Sequence, residues 1–551
     1  MASARPTSPA WLLLPGLGII GVGVLVALAT DVAVDALSTA KLAFILGGFV
    51  LMIPPMVMED PKAYWLFLLV LSIPFDISKW LSDPAHAKTL VDTYGVPLSG
   101  TAAVELYLTD VVLIAMLLAW LARVCMLRER LYFPKIAYIF VVYLAWALLS
   151  SLTNAESFYL SMIELYRQTL YFLFFMYLIN NVATPQQFRS VAWAVLLGLI
   201  ISAGSVITFF QLSVGTENSI FARLHDQPDT GSQGQTDKPG MGSGNENLTL
   251  HGTEHRFGPS NRGDDLDIVR SQGMFKHPAI AAGLFGLTLP ITLAYILGAR
   301  KNRDRILFFV VFAWGLTAMV LTFSRAGLIG LMVGALVLFA VGGWSGLVSG
   351  RVLRLGAVAL IGAAAISIPF LLYYFEARPG SFWGRFYMFE AALQGYSQHP
   401  FLGVGFNNGT ASMIPGKQEL RDMGIPVPAG ETADSYYLAI LIEVGPLGAL
   451  LFFGFFGKIV TIALRTMRGV PADMKPPLVG MVAGIASVAV QSVADEPMTG
   501  HAVSSTLWLF SALIVAIARY VQAETRPNPA QGIHRPSPRL LGAGTSLHLD
   551  S

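Results

Sequence analysis

The chain has little of what a water-soluble enzyme is made from. Of its 551 residues only 13% are charged, against roughly 25% in an ordinary soluble domain. That shortage excludes a water-facing surface along most of its length. There is one cysteine, Cys125, which excludes an intrachain disulfide and any multi-cysteine metal site. The formal net charge is +2, so bulk charge gives no case for nucleic-acid binding. No Gly-rich loop of the Walker type and no Ser-His-Asp set stands out, which sets aside nucleotide hydrolysis and triad chemistry. His251-Gly252-Thr253-Glu254-His255 spells a zinc motif in letters. That motif works on a helix, and Gly252 in Gly- and Asn-rich surroundings argues against one. No metal and no cofactor is expected.

What the chain has in excess is apolar residues, at 54%. Apolar runs long enough to cross the ~30 Å hydrocarbon layer as helices recur from end to end. Only a helix pairs all of its backbone groups within such a run. The runs predict an all-α, polytopic integral membrane protein of about fourteen spans. They fall near 11–30, 41–57, 63–78, 106–124, 136–152, 167–183, 191–213, 279–298, 306–323, 327–343, 355–374, 436–456, 477–494 and 502–520. The third is interrupted by Pro74 and followed by Asp76. Arg5 and Ala27-Leu28-Ala29 resemble a cleaved leader, but the reading prefers an uncleaved first helix.

Lys and Arg fix the orientation. Arg123, Arg128, Arg130 and Lys135 follow the fourth span, and Arg300, Lys301, Arg303 and Arg305 the eighth. Arg351 and Arg354 follow the tenth, Lys458, Arg465, Arg468 and Lys475 the twelfth, and Arg519 and Arg526 the last. With an even count all lie on one side, the cytoplasmic one, which predicts both termini there. The other side receives two long loops, 214–278 and 375–435. The first, between 226 and 265, has too little apolar surface to fold alone. The second carries Trp383, Phe386, Tyr387 and Phe389 at spacings that suit an interfacial helix. Residues 156–167 predict another short amphipathic segment on that side. Residues 523–551 form a Pro- and Gly-rich tail, expected to be disordered. No internal repeat is visible.

Five arginines break the charge rule: Arg167, Arg270, Arg325, Arg378 and Arg385. A charge within the bilayer costs a few kcal/mol unless paired or solvated. One such arginine can snorkel to lipid headgroups. Five on the wrong side favour a shared anion site, since a guanidinium donates two parallel hydrogen bonds to a phosphate. Asp434-Ser435-Tyr436-Tyr437 opens a helix that continues to Glu443. Asp434 and Ser435 suit helix capping, and the carboxylate also suits a general base toward a sugar hydroxyl. Glu443 is an acid inside an apolar helix, a functional candidate by its cost. His399-Pro400-Phe401-Leu402-Gly403-Val404-Gly405 is either an ordinary turn or a backbone approach to a ligand. His277-Pro278 is a similar pair beside Arg270 and Lys276.

Taken in order, these segments resemble the O-antigen ligase and polymerase superfamily of bacterial envelope glycosyltransferases. Arg270 to Pro278, Phe323-Ser324-Arg325-Ala326-Gly327, Gly384-Arg385 with His399 to Gly405, and Asp434-Ser435-Tyr436-Tyr437-Leu438 with Glu443-Val444-Gly445 carry the likeness. It spans roughly 190–460. The organisation it suggests is N-terminal helices (1–190), a catalytic core with both long loops (191–460), C-terminal helices (461–522) and the tail (523–551).

The resemblance implies a bacterial inner-membrane enzyme that handles an undecaprenyl-pyrophosphate-linked oligosaccharide on the periplasmic face, without cofactor. It implies a pyrophosphate held by Arg270 and Arg325, with Arg385 as a further carry-over; Arg378 and Arg167, as wrong-side arginines, and His399 and His277, as His-Pro pairs, are substrate-contact candidates from the residues themselves. It also implies polysaccharide-assembly partners such as a flippase or chain-length regulator. Relatives that are ligases have histidine where this chain has Asp434, which tilts the reading toward an exopolysaccharide or O-antigen polymerase with Asp434 as base. The alternatives are a ligase acting on lipid A core or protein, and a polysaccharide transporter.

Overall fold

A computed structural model describes residues 54, 60–76, 78–80, 104–214, 255–256, 269–358, 361–362, 365, 379–425 and 433–525. The first predicted span, all of the second but residue 54, most of the 226–265 segment, most of the span at 355–374, Arg378 and the tail beyond Thr525 lie outside them. The chain is an all-α, multi-pass membrane protein, with two short β pairings between its helices.

The elements run α1 (Pro61–Ser72), β1 (Ser78–Trp80), β2 (Glu105–Tyr107), α2 (Leu108–Leu127), α3 (Ala137–Asn154), α4 (Phe158–Asn181) and α5 (Pro185–Val214). After β3 (His255–Arg256) and β4 (Val269–Arg270) come α6 (Pro278–Gly298), α7 (Asn302–Leu321) and α8 (Arg325–Trp344). Then follow α9 (Pro379–Gln398), the short α10 (Gly409–Ser412) and α11 (Ile414–Asp422). The chain ends in α12 (Tyr436–Thr466), α13 (Lys475–Gln491), a 3-10 turn at Pro497–Thr499, and α14 (His501–Thr525). Both strand pairs are antiparallel, with Ser78 opposite Tyr107 and His255 opposite Arg270.

Eight helices among the described residues are long and apolar enough to cross a membrane: α2, α3, α5, α6, α7, α8, α12 and α14. Helix α1 is short for its predicted span. It starts at Pro61 behind Asp60, whose carboxylate accepts from the Ala63 N–H at 3.2 Å, and it is 12 residues long. At 1.5 Å per residue it covers about 18 Å. One expectation is corrected: the amphipathic segment at 156–167 and the span at 167–183 are a single helix, α4. Glu164, Arg167 and Gln168 form a polar stripe that faces protein and a cavity rather than ending the helix.

The packing seam lies along α6, α13 and α8. Lipid gives helices no hydrophobic reason to associate, so close backbone approach has to supply the contact. At Gly484 a Cβ would stand 2.3 Å from the Leu287 carbonyl oxygen, and at Gly330 it would stand 2.4 Å from that of Ser487. Helix α6 is buried along most of its length, second only to α14 among the eight long apolar helices. It is capped by His277, whose Nδ1 accepts from the Ala279 N–H at 3.1 Å, and Pro278 opens its first turn. A smaller core joins α9 and α11 through Met388, Ala392, Met413 and Leu420, and reaches Val404 and Ile442.

Candidate functional site

The centre of the site is a break in α12. Gly445 takes φ 68° and ψ −179°, and Pro446 follows with no N–H to donate. The carbonyls released by the break need partners inside the protein. The loop after α9 supplies them. Val404 N–H donates to the Ile442 carbonyl at 2.9 Å and Gly405 N–H to that of Glu443 at 2.9 Å. Trp146 Nε1 donates to the Val444 carbonyl at 2.9 Å, and Ser150 Oγ to that of Glu443 at 3.1 Å. The fit requires glycine at Gly403, which has φ +80° and whose Cβ would lie 2.5 Å from the Glu443 carbonyl carbon. Asn408 then clamps the loop to α4. Its Nδ2 donates to Ser161 Oγ at 2.9 Å, and its Oδ1 accepts from Ser157 N–H at 2.8 Å.

This arrangement walls a cavity of about 270 Å³ at the end of the bundle where α4, α6, α12 and α14 begin. Its lining includes Glu105, Tyr107, Glu164, Arg167, Tyr171, Lys276, Asn407, Tyr436, Glu443 and Glu496. The long basic connections lie at the other end of these helices. A second cavity, of about 200 Å³, opens at that basic end between α5, α6, α13 and α14. It is mostly apolar, and the charges at its rim are the exposed pair Arg189–Asp473 at 3.7 Å.

Two cations and a tyrosine organise the first cavity. Lys276 Nζ is ion-paired with Glu105 and donates to the Tyr107 hydroxyl at 3.1 Å. Tyr107 in turn donates to Glu105 Oε2 at 2.5 Å. The buried Arg167 guanidinium stands 5.5 Å from the Tyr107 ring centroid, within reach of a cation–π attraction. Behind it the Tyr107 ring stacks on His501 with centroids 4.0 Å apart. The Asp110 carboxylate accepts from the Tyr107 N–H at 3.0 Å and locks the strand-to-helix junction that presents these groups.

Burial pushes the Glu105 carboxyl up, but the Lys276 charge and the hydrogen bonds from Lys276 and Tyr107 outweigh it, and the group sits below the usual carboxylate range. Asp76, buried nearby, goes the other way. Burial takes it up to about 6 in spite of the Lys276 charge. The result is a cavity in which Arg167 and Lys276 are fixed in place among carboxylates.

The residues singled out in the sequence fall in three places. Arg167 lines the cavity, and Lys276, noted beside His277, lines it too. Arg325 opens α8 behind Ser324, whose Oγ accepts from the Gly327 N–H at 3.2 Å. The Arg270 backbone is its near neighbour, because the next residue, Ser271, donates its N–H to the Leu321 carbonyl at 3.2 Å. A Cβ at Gly327 would touch Ala282, whereas Ile280 lines the cavity. Two residues apart on a helix are about 200° apart around it. The Arg325 turn therefore stands on the other face of the first turns of α6 from the cavity.

Asp434 is in neither place. It takes φ 54° just before α12, and its carboxyl faces Arg385 of α9 and Lys417 of α11. Burial pushes its pKa up, and those two cations offset only part of the rise. Ser435 occupies the N-cap position of α12 without a side-chain capping bond. His277 is a helix cap. His399 is an exposed turn residue whose carbonyl accepts from the Gly403 N–H at 2.9 Å. His255 of the zinc-like string is paired as strand with Arg270.

Glu105, Tyr107, Glu164 and Glu496 also line the cavity and are not among the candidates in the sequence. For Glu164 a signal was present: Glu164-x-x-Arg167 puts an acid and a base on one helix face, and an acid in an apolar helix is costly wherever it occurs. For Glu105 and Tyr107 nothing local marks them, because a strand pairing and a distant lysine give them their place.

Fold and cavity define the class: a multi-pass helical membrane protein with a charged chamber at one end, lined by Arg167, Lys276 and several carboxylates, and a helix broken to shape it. Residues 308–453 match the family model described as O-antigen ligase. That match, over about a quarter of the chain, supports a likeness to the O-antigen ligase and polymerase superfamily of membrane glycan-processing proteins. It covers the turn of Arg325, helix α9, the glycine loop and the break in α12. No curated protein matches the chain at a significant level.

Proposed function

We propose that the protein is a bacterial inner-membrane glycosyltransferase, with both termini cytoplasmic, that extends a glycan carried on undecaprenyl pyrophosphate at the periplasmic face. The observation that carries this reading is the pairing of Arg167 and Lys276 in a cavity shared with carboxylates. In it the donor's pyrophosphate lies against Arg167 and Lys276. Arg270 and Arg325 add positive charge, and Arg378, Arg385 and His399 are the further substrate contacts. A hydroxyl of the incoming unit attacks the anomeric carbon, and the leaving pyrophosphate gains charge that fixed cations stabilise. Such a step needs neither metal nor nucleotide.

The experiment uses purified protein in liposomes with lipid-linked oligosaccharide extracted from a strain lacking this gene. Longer lipid-linked glycan supports the polymerase reading, and a flippase and chain-length regulator as its partners. Transfer to lipid A core or to protein makes it a ligase, which is the same chemistry with another acceptor. The break at Gly445 also favours a transporter, whose sites are built on discontinuous helices. In this chain the break is filled by residues 403–405. Movement of the lipid-linked glycan across the bilayer without a new glycosidic bond would overturn the enzyme reading.

A further inference from the structure

A transfer to a hydroxyl leaves a proton to be taken up, and the acids of the cavity are not equivalent. Glu105 is engaged by Lys276 and Tyr107. The Glu443 carboxyl is met by the backbone N–H groups of Asn407 and Gly409. Glu496 Oε1 is sealed from water. Asp434 lies outside the lining, against Arg385 and Lys417. Glu164 differs from all of these. It lines the cavity partly buried, one turn along α4 from the Ser161 that anchors the glycine loop. Its Oε1 accepts from Gln168 Nε2 at 2.8 Å, and among the described residues its Oε2 makes no hydrogen bond. One oxygen is held by Gln168 and the other is left for a ligand in a cavity that Glu164 lines, the geometry of a base waiting for a hydroxyl. Arg167 follows one turn later on the same face, so base and anion clamp are mounted on a single rigid helix.

Resting on the glycosyltransferase reading, we propose that Glu164 is the proton acceptor of the reaction and that Gln168 is its positioning residue. The acceptor hydroxyl gives its proton to Glu164 Oε2 as its oxygen bonds to the anomeric carbon. The bond from that carbon to the phosphate oxygen breaks, and its electron pair leaves on the undecaprenyl pyrophosphate, against Arg167 and Lys276. The proton then passes from Glu164 to water in the cavity. The groups facing Glu164 are Arg167 and Tyr171 of α4, Tyr143 of α3, and Tyr436 and Glu443 of α12.

The test uses full-length protein in liposomes with the same extracted donor, and undecaprenyl pyrophosphate as the binding probe. Glu164→Gln is expected to lower glycan transfer about 100-fold or more, the usual worth of a general base, with probe binding unchanged. Glu164→Asp should keep partial activity. Gln168→Leu, which leaves the carboxylate in place, should lower kcat about tenfold and move the acid limb of the pH profile upward, since a hydrogen bond to the charged form is lost. A Glu164→Gln protein that keeps more than a tenth of wild-type transfer overturns the assignment, as does a Gln168→Leu profile that does not move. If Glu164→Gln fails to fold, the Gln168→Leu profile decides. If wild-type protein binds the probe yet forms no glycosidic bond, the reading falls and the assignment falls with it.

Discussion

The Gly405 N–H donates to the Glu443 carbonyl at 2.9 Å, joining two segments that lie almost forty residues apart in sequence. Neither segment explains itself alone. The glycines of Gly403-Val404-Gly405 let a backbone pass through the gap that Gly445 and Pro446 open, and the released carbonyls hold it there. A side chain at position 403 has no room, and the positive φ costs a non-glycine residue roughly 1–2 kcal/mol before any clash. Gly403→Ala should therefore lower the thermal unfolding midpoint and abolish polymer formation together. A variant with wild-type midpoint and wild-type polymer would show that the loop does not hold the break.

The two arginine sites make separable predictions. Arg167→Met removes a guanidinium from the cavity itself, so binding of undecaprenyl pyrophosphate to purified protein should fall at least tenfold, about 1.4 kcal/mol. Arg325→Met removes charge on the other face of α6 and should cut polymer formation with a smaller loss of binding. Native mass spectrometry of both variants in detergent measures the binding. Should Arg325→Met lose the pyrophosphate and Arg167→Met keep it, the anion site belongs at the Ser324-Arg325 turn and not in the cavity.

Much of the fold was legible because bilayer thickness and positive charge leave direct marks on sequence. The helices at Leu108–Leu127, Pro278–Gly298 and His501–Thr525 begin and end within a few residues of their predicted spans. The exceptions are physical. Helix α4 carries polar side chains that a hydropathy reading takes as an end of the span, although they face the interior. The candidate site was less legible. Arg167 and Glu443 were visible as costly charges in apolar helices, an argument about each residue by itself. Glu105 and Lys276 become a site only through pairing at a sequence distance of 171 residues, and no local pattern encodes that.

Asp434 stands where the resemblance places a base, yet its carboxyl faces Arg385 and the buried Lys417. A carboxylate in that setting compensates cations packed between α9, α11 and α12. Asp434→Asn should accordingly keep glycan transfer within about threefold of wild type, while a lost base would cost about 100-fold or more. It should also destabilise the protein, because removing one partner leaves buried charge uncompensated. Transfer rate and thermal midpoint measured on one preparation decide between the roles. A hundredfold loss of rate at an unchanged midpoint would return the base to Asp434.

Asp76 gives the cavity region a pH signature of known sign. It lies beyond the end of α1, is 2% exposed, and its pKa in the folded protein rises from 3.8 to about 6. Burial is the main cause, and Lys276 and Arg167 only temper it. A carboxyl whose folded pKa is raised opposes folding once ionised. Below pH 3.8 it is neutral in both states and costs nothing. Between 3.8 and 6 the unfolded chain ionises first, so the cost grows, and above 6 it is complete. A rise of about two units corresponds to about 3 kcal/mol at neutral pH. Asp76→Asn removes the ionisation and keeps the shape. Its stability relative to wild type should therefore rise between pH 4 and pH 7 by up to that amount, then level off. Unfolding midpoints of both proteins in one detergent at pH 4, 5, 6 and 7.5 measure the difference. A difference that stays flat across that range would mean that Asp76 titrates near its ordinary value, and that the ground beneath Lys276 is wetter than its packing shows.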